Sequence, residues 1–90
     1  MKAIKTKYIS ATNLTGSRVS ATTENGGRVI VGWNYALNSD ANHERAARKL
    51  CEKMGDGWSG QLAMGGLPDG SVAHVFVSDY TTYEVARKAA

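Results

Sequence analysis

Polarity nearly alternates along the first strand-like stretch: Ile4, Thr6 and Tyr8 share one parity, and Lys5 and Lys7 the other. Period two with β-branched and aromatic members predicts a strand over residues 2–9. The polar run Ala11-Thr12-Asn13-Leu14-Thr15-Gly16-Ser17 reads as a loop rich in turn formers. A second strand is predicted over about residues 18–23. It is followed by Glu24-Asn25-Gly26-Gly27, a hairpin signal because Asn and Gly tolerate positive φ. The third predicted strand, residues 28–35, places Val29, Val31, Trp33 and Tyr35 on one face. Three strands joined by short turns read as a meander.

Periodicity then changes. His43, Ala47, Leu50, Cys51 and Met54 fall at i, i+4, i+7, i+8 and i+11, a single helical stripe, while Glu44, Arg45, Arg48, Lys49, Glu52 and Lys53 lie away from it. The helix is expected over residues 40–54. Ser39 or Asp40 is its natural N-cap, and Gly55 is the residue that stops it. A second hairpin follows, with strands over residues 58–64 and 71–77 and a turn through Gly65-Gly66-Leu67-Pro68-Asp69-Gly70. Thr81-Thr82-Tyr83-Glu84 has the pattern of a capping box ahead of Val85-Ala86-Arg87-Lys88, which would start a short terminal helix.

The order βββ-α-ββ, with that short C-terminal helix in addition, describes one small α+β domain over residues 1–90. Its sheet is mostly antiparallel, and one amphipathic helix covers one face. The other face is left apolar in places, because Ile30 opposes Val29 and Val31 and Ile9 shares the parity of Lys5 and Lys7. The tail or another copy of the protein could cover it, so a homo-oligomer is among the expected states.

Ninety residues support one modest core. The apolar runs are far too short to span a bilayer, so no membrane partner is expected. The start, Met1-Lys2-Ala3-Ile4-Lys5, lacks the apolar region of a secretory signal, and a cytoplasmic location follows by default. A single cysteine excludes an internal disulfide and any cysteine-rich zinc module. No metal or cofactor is expected. The net charge of +3 is unevenly distributed. Residues 1–35 carry Lys2, Lys5, Lys7, Arg18 and Arg28 against Glu24, a balance of +4, whereas six cations meet seven anions in residues 36–90. Such asymmetry suits contact with phosphate or an acidic partner, although a solvated strand face explains it equally.

Candidate chemistry is sparse. His43 and Cys51 stand about 12 Å apart along one helix stripe, beyond hydrogen-bond reach, and a helical cysteine on such a stripe is expected to be buried and inert. His74 has the parity of Val72 and Phe76 and is expected to be a core or edge histidine. Asp56, Asp69 and Asp79 fall at turns or element ends. Catalysis is therefore not expected. A better candidate is the loop Thr12, Asn13, Gly16, Ser17 and Arg18, whose hydroxyls, amide, backbone donors and guanidinium could hold an anion, with Lys5 and Lys7 adding to the potential. It is neither a Walker loop nor a dinucleotide fingerprint, and a plain polar connection explains it as well. Nucleic acid would need the basic residues in one strip with Tyr8, Trp33 or Tyr35 for stacking, but these aromatics share faces with apolar residues.

The chain resembles a group of short open reading frames of bacteriophages and other bacterial mobile elements. The similar pieces are Thr12-Asn13 with Gly16-Ser17-Arg18, Leu37-Asn38-Ser39 with Asn42-His43, and Ala46-Ala47, Leu50-Cys51 and Met54-Gly55. Gly60-Gln61-Leu62, Gly66-Leu67-Pro68, Gly70 and His74-Val75-Phe76-Val77 complete them. The group has no assigned biochemistry, so it transfers no functional residue. Where its members have a longer polar strand ending in Pro-Tyr, this chain has Gly32-Trp33-Asn34-Tyr35, which puts the end of the third strand in question. The resemblance implies a non-enzymatic inhibitor of a host defence factor in the host cytoplasm, binding a protein or protein complex or sequestering a phosphate-bearing ligand. The alternative is a small nucleic-acid-binding accessory protein.

Overall fold

A computed structural model describes residues 2–78 and 81–86. The strands are β1 (Ala3–Ile9), β2 (Arg18–Thr22), β3 (Arg28–Gly32), β4 (Leu62–Gly66) and β5 (Val72–Phe76), and the helix α1 (Ser39–Met54) lies between β3 and β4. They form one antiparallel sheet in the order β3-β2-β1-β5-β4. The α+β class and the βββ-α-ββ order are as the sequence predicts. The first three strands are the meander, and α1 carries the chain back across it to the far edge, where β4 and β5 form the second hairpin.

The helix begins one residue earlier than expected. Asn38, rather than Ser39 or Asp40, is the N-cap, its Oδ1 accepting the Ala41 amide at 2.8 Å. The difference traces to Asn42, which is wholly buried. Its Oδ1 accepts the Asn34 amide at 2.8 Å, and its Nδ2 donates to Asn34 O at 2.9 Å and Asn38 O at 3.0 Å. These bonds fix the connection from β3 into the first turn. Gly55, at φ +80°, ends the helix as expected.

Strand β3 stops at Gly32, not at Tyr35. Its partner β2 starts at Arg18, so the Trp33 amide reaches the last free carbonyl, Ser17 O, at 2.9 Å, and beyond it Asn34 is claimed by Asn42. Strand β4 is displaced toward the turn, from the predicted 58–64 to Leu62–Gly66. Gly60 at φ +131° interrupts the extended path, and Trp58 turns inward against Phe76 with ring centroids 6.0 Å apart. The turn at 67–70 is tight: Leu67 N donates to Ser71 O at 2.8 Å, and Asp69 accepts from Ser71 N at 3.0 Å. Residues 81–86 are exposed and non-helical; the rest of the predicted terminal helix and Asp79 lie outside the described residues.

The core is Ile4, Val19 and Ala21 of the sheet against Ala46, Ala47 and Leu50 of α1, flanked by Val29, Val31, Trp33, Cys51, Met54 and Trp58. Alanines at 46 and 47 let the helix approach the strands closely. Arg45 donates to Gly32 O at 2.9 Å and Lys53 to Arg28 O at 2.8 Å, so the helix runs antiparallel to β3 and covers carbonyls along that sheet edge. No helix among the described residues is long and apolar enough to cross a membrane.

Candidate functional site

The Thr12–Arg18 loop is held by its own bonds. Thr12 Oγ1 accepts the amides of Leu14 at 3.2 Å and Thr15 at 3.1 Å, and Thr12 N donates to Thr15 O at 2.8 Å. Three of the donors that could face an anion are thus engaged inside the loop. Asn13 and Gly16 are exposed, but Ser17 is buried, its hydroxyl meeting Tyr8 OH at 2.8 Å and receiving Tyr35 OH at 3.0 Å. Arg18 is half-buried, and its Nε has no hydrogen-bond partner among the described residues.

Strand register decides which of the sequence-selected residues come together. Lys5 pairs with Thr22 and Thr22 with Arg28; Lys7 pairs with Ser20 and Ser20 with Ile30; Ile9 pairs with Arg18. Paired residues share a face, and Val19 and Ala21 hold the opposite face under α1. Lys5, Lys7, Arg18 and Arg28 therefore share the helix-free face with Ile9 and with Ile30, which is 44% exposed. Among the described residues no strand contains Asp or Glu. The adjacent turn supplies Asp69, 3.2 Å from Lys5. Its carboxyl is held well below the usual range, first by the Ser71 hydroxyl and amide and then by Lys5. Lys2 does not join this strip: its ammonium donates to Gly57 O and sits 5.5 Å above the Trp58 ring, on the helix side.

A second feature lies on the helix side. Helix α1 packs mainly on β1, β2 and β3, so the inner face of the sheet is less covered toward β4, where Leu62 is half-buried and Met64 exposed, than at His74 and Phe76 of β5, which are buried. A groove of about 690 Å³ results, floored by Leu62, Met64, His74 and Phe76 and walled by Ala47, Cys51 and Trp58. Sequence reasoning missed it, yet strand counting carries the signal. Five strands span roughly 19 Å between outer axes, whereas one helix is only about 10–12 Å wide. Cys51, expected to be buried, is half-buried along this groove. Burial pushes its thiol pKa up, which keeps it protonated at neutral pH and opposes nucleophilic use.

Between groove and core lies a polar cluster. Thr6 Oγ1 is 2.7 Å from His43 Nδ1 and 2.9 Å from His74 Nε2. Burial lowers both histidines: His74 to about 4, with His43 adding to the effect and Glu44 opposing it, and His43 against the pull of Asp40. Both rings are neutral at pH 7 and act as packing partners; Trp33 meets His43 edge-on at 6.0 Å. Among the described residues, no three His, Cys, Asp or Glu side chains gather to hold a metal ion. The chain matches no protein-family model, no curated protein sequence and no solved structure.

Proposed function

We propose that this chain is a non-enzymatic binding protein that docks an acidic partner protein on its helix-free sheet face. The observation that carries the reading is the combination of Lys5, Lys7, Arg18 and Arg28 with exposed Ile30 on a face whose strands have no carboxylate. Aliphatic anchors among cations suit a protein surface of opposite charge. A raised thiol and two neutral histidines bonded to one threonine favour binding over catalysis. The resemblance to mobile-element reading frames supports a host defence factor as the partner, met in the cytoplasm of the host cell. Sequestration of a phosphate-bearing ligand draws less support, because the loop amides at Leu14 and Thr15 are already bonded.

The four cations also favour a second reading, nucleic acid held through its phosphates. Single-strand platforms stack bases on aromatic side chains, and Tyr8 and Trp33 instead meet each other edge-on at 4.9 Å on the helix side. The two readings separate in one experiment. Host lysate is passed over the immobilised protein and over Lys7→Glu/Ile30→Asp, and nucleic-acid affinity is measured by anisotropy across a salt series. A protein retained by the parent and lost from the variant supports the first reading. Anisotropy with a slope of log K against log salt near −3, from about three or four phosphate contacts, supports the second. Equal capture by both proteins, with no nucleic-acid binding, removes this face from the site.

A further inference from the structure

We propose that the groove between α1 and the β4–β5 hairpin receives the C-terminal segment of a second copy of this chain, each copy giving its tail to the other. The groove needs an apolar occupant: Met64 on its floor is 39% exposed, and half-buried Leu62 and Trp58 add apolar surface. The same chain carries an exposed apolar pair beyond β5. Tyr83 is 86% exposed and Val85 is 82% exposed. They stand two residues apart, so both lie on one side of an extended chain.

Position favours the match. The Val77 amide donates to Gln61 O at 2.9 Å, and Gln61 lines the groove, so the chain leaves the sheet at the groove's mouth. Tyr83 follows six residues later, within roughly 20 Å of extended chain. Two copies related by a two-fold axis at these mouths could exchange tails over a short distance, giving a closed, isologous dimer. The dimer leaves the helix-free face open, so this inference stands apart from the proposed partner surface.

The test uses the full chain and two readouts: sedimentation across a concentration series, and the rate at which a thiol reagent labels Cys51. The variants are Tyr83→Asp/Val85→Asp in the tail and Met64→Lys in the groove, all at exposed positions. The parent should dimerise as concentration rises, with Cys51 labelling slowed about fivefold at a total protomer concentration ten times the dimer Kd, where about a fifth of the chains remain monomeric. Both variants should remain monomeric and label at the fast rate. Mixing them should restore a heterodimer, since one intact tail then meets one intact groove. A parent that stays monomeric, or a dimer that survives both changes, overturns the proposal. So does concentration-independent protection of Cys51 that the tail variant abolishes, because the chain's own tail would then fill its groove.

Discussion

The two halves of the sheet's inner face differ in what lies over them. Under α1, Val19, Ala21, Ala46, Ala47 and Leu50 are fully buried. Over β4 and β5 the strand side chains meet an open groove, and only Phe76 among their apolar residues is buried. Both halves have the same backbone pairing, so hydrogen bonding does not distinguish them. The difference is the width of one helix. Small residues on α1 give tight packing where it lies, and the helix makes its main contacts with β1, β2 and β3 rather than with the outer hairpin. Stability should concentrate in the first half, and the less buried half is where local opening and binding are least costly.

That contrast can be broken with a matched pair of truncations. Leu50→Ala, beneath the helix, should cost about 2–5 kcal/mol in a denaturant melt, enough to threaten a domain of this size. Leu62→Ala, in the half-covered strand, should cost about 1 kcal/mol. Similar losses at both sites would mean that the hairpin is as much part of the core as the meander.

Acid sharpens the boundary between the halves, because His74 belongs to β5 and His43 to α1. A histidine whose folded pKa lies below its unfolded value gives stability that is complete above the unfolded value. For His74 that stability is lost as pH falls from 6.5 toward about 4. The loss should reach at most about 3 kcal/mol for this ring, with His43 adding in the same direction. Chemical denaturation at stepped pH measures it, and a flat profile across that window would contradict the burial of both rings. Thr6→Val keeps the shape and removes the hydroxyl between them. It should cost about 1–3 kcal/mol at neutral pH by leaving buried ring nitrogens unpartnered. A neutral result would show that the cluster is packing alone.

The smallest effect on stability is expected on the opposite face. Arg18→Ala should shift the melting temperature by no more than about 2 °C, since its Nε has no partner among the described residues to lose. Partner affinity should nevertheless fall about ten- to a hundredfold if the guanidinium makes a charge-assisted contact. Unchanged binding would take Arg18 out of the docking face, and a large loss of stability would make it structural.

The order of elements was legible because it rests on local periods. The stripe through His43, Ala47 and Leu50 found the helix, and Gly55 marked its end. Element boundaries were less legible where a distant partner sets them. Nothing near Trp33 announces that Ser17 holds the last available carbonyl, and Asn42 reads as one more polar residue until the β3–α1 connection folds around it. The same holds at the candidate site. Parity placed Lys5 and Lys7 together and Lys2 on the side of Ile4, but it took sheet register to add Arg18 and Arg28 to the same face. The groove depends on a strand order, with β5 beside β1, that no local pattern encodes.

One threonine hydroxyl sits between two imidazoles, and it has a single hydrogen to give. If that hydrogen points at His43 Nδ1, then His74 Nε2 must bring its own, and the reverse holds if it points at His74. The 3.4 Å approach to Val72 O offers a third direction, in which both rings supply theirs. In none of the three are both ring nitrogens bare. The two histidines therefore do not choose their tautomers independently, and the state of one is partly written in the other. Nitrogen-15 shifts of the two rings should show this as a forbidden combination, and a proton captured by either ring should redirect the hydroxyl and be registered across the boundary between helix and hairpin.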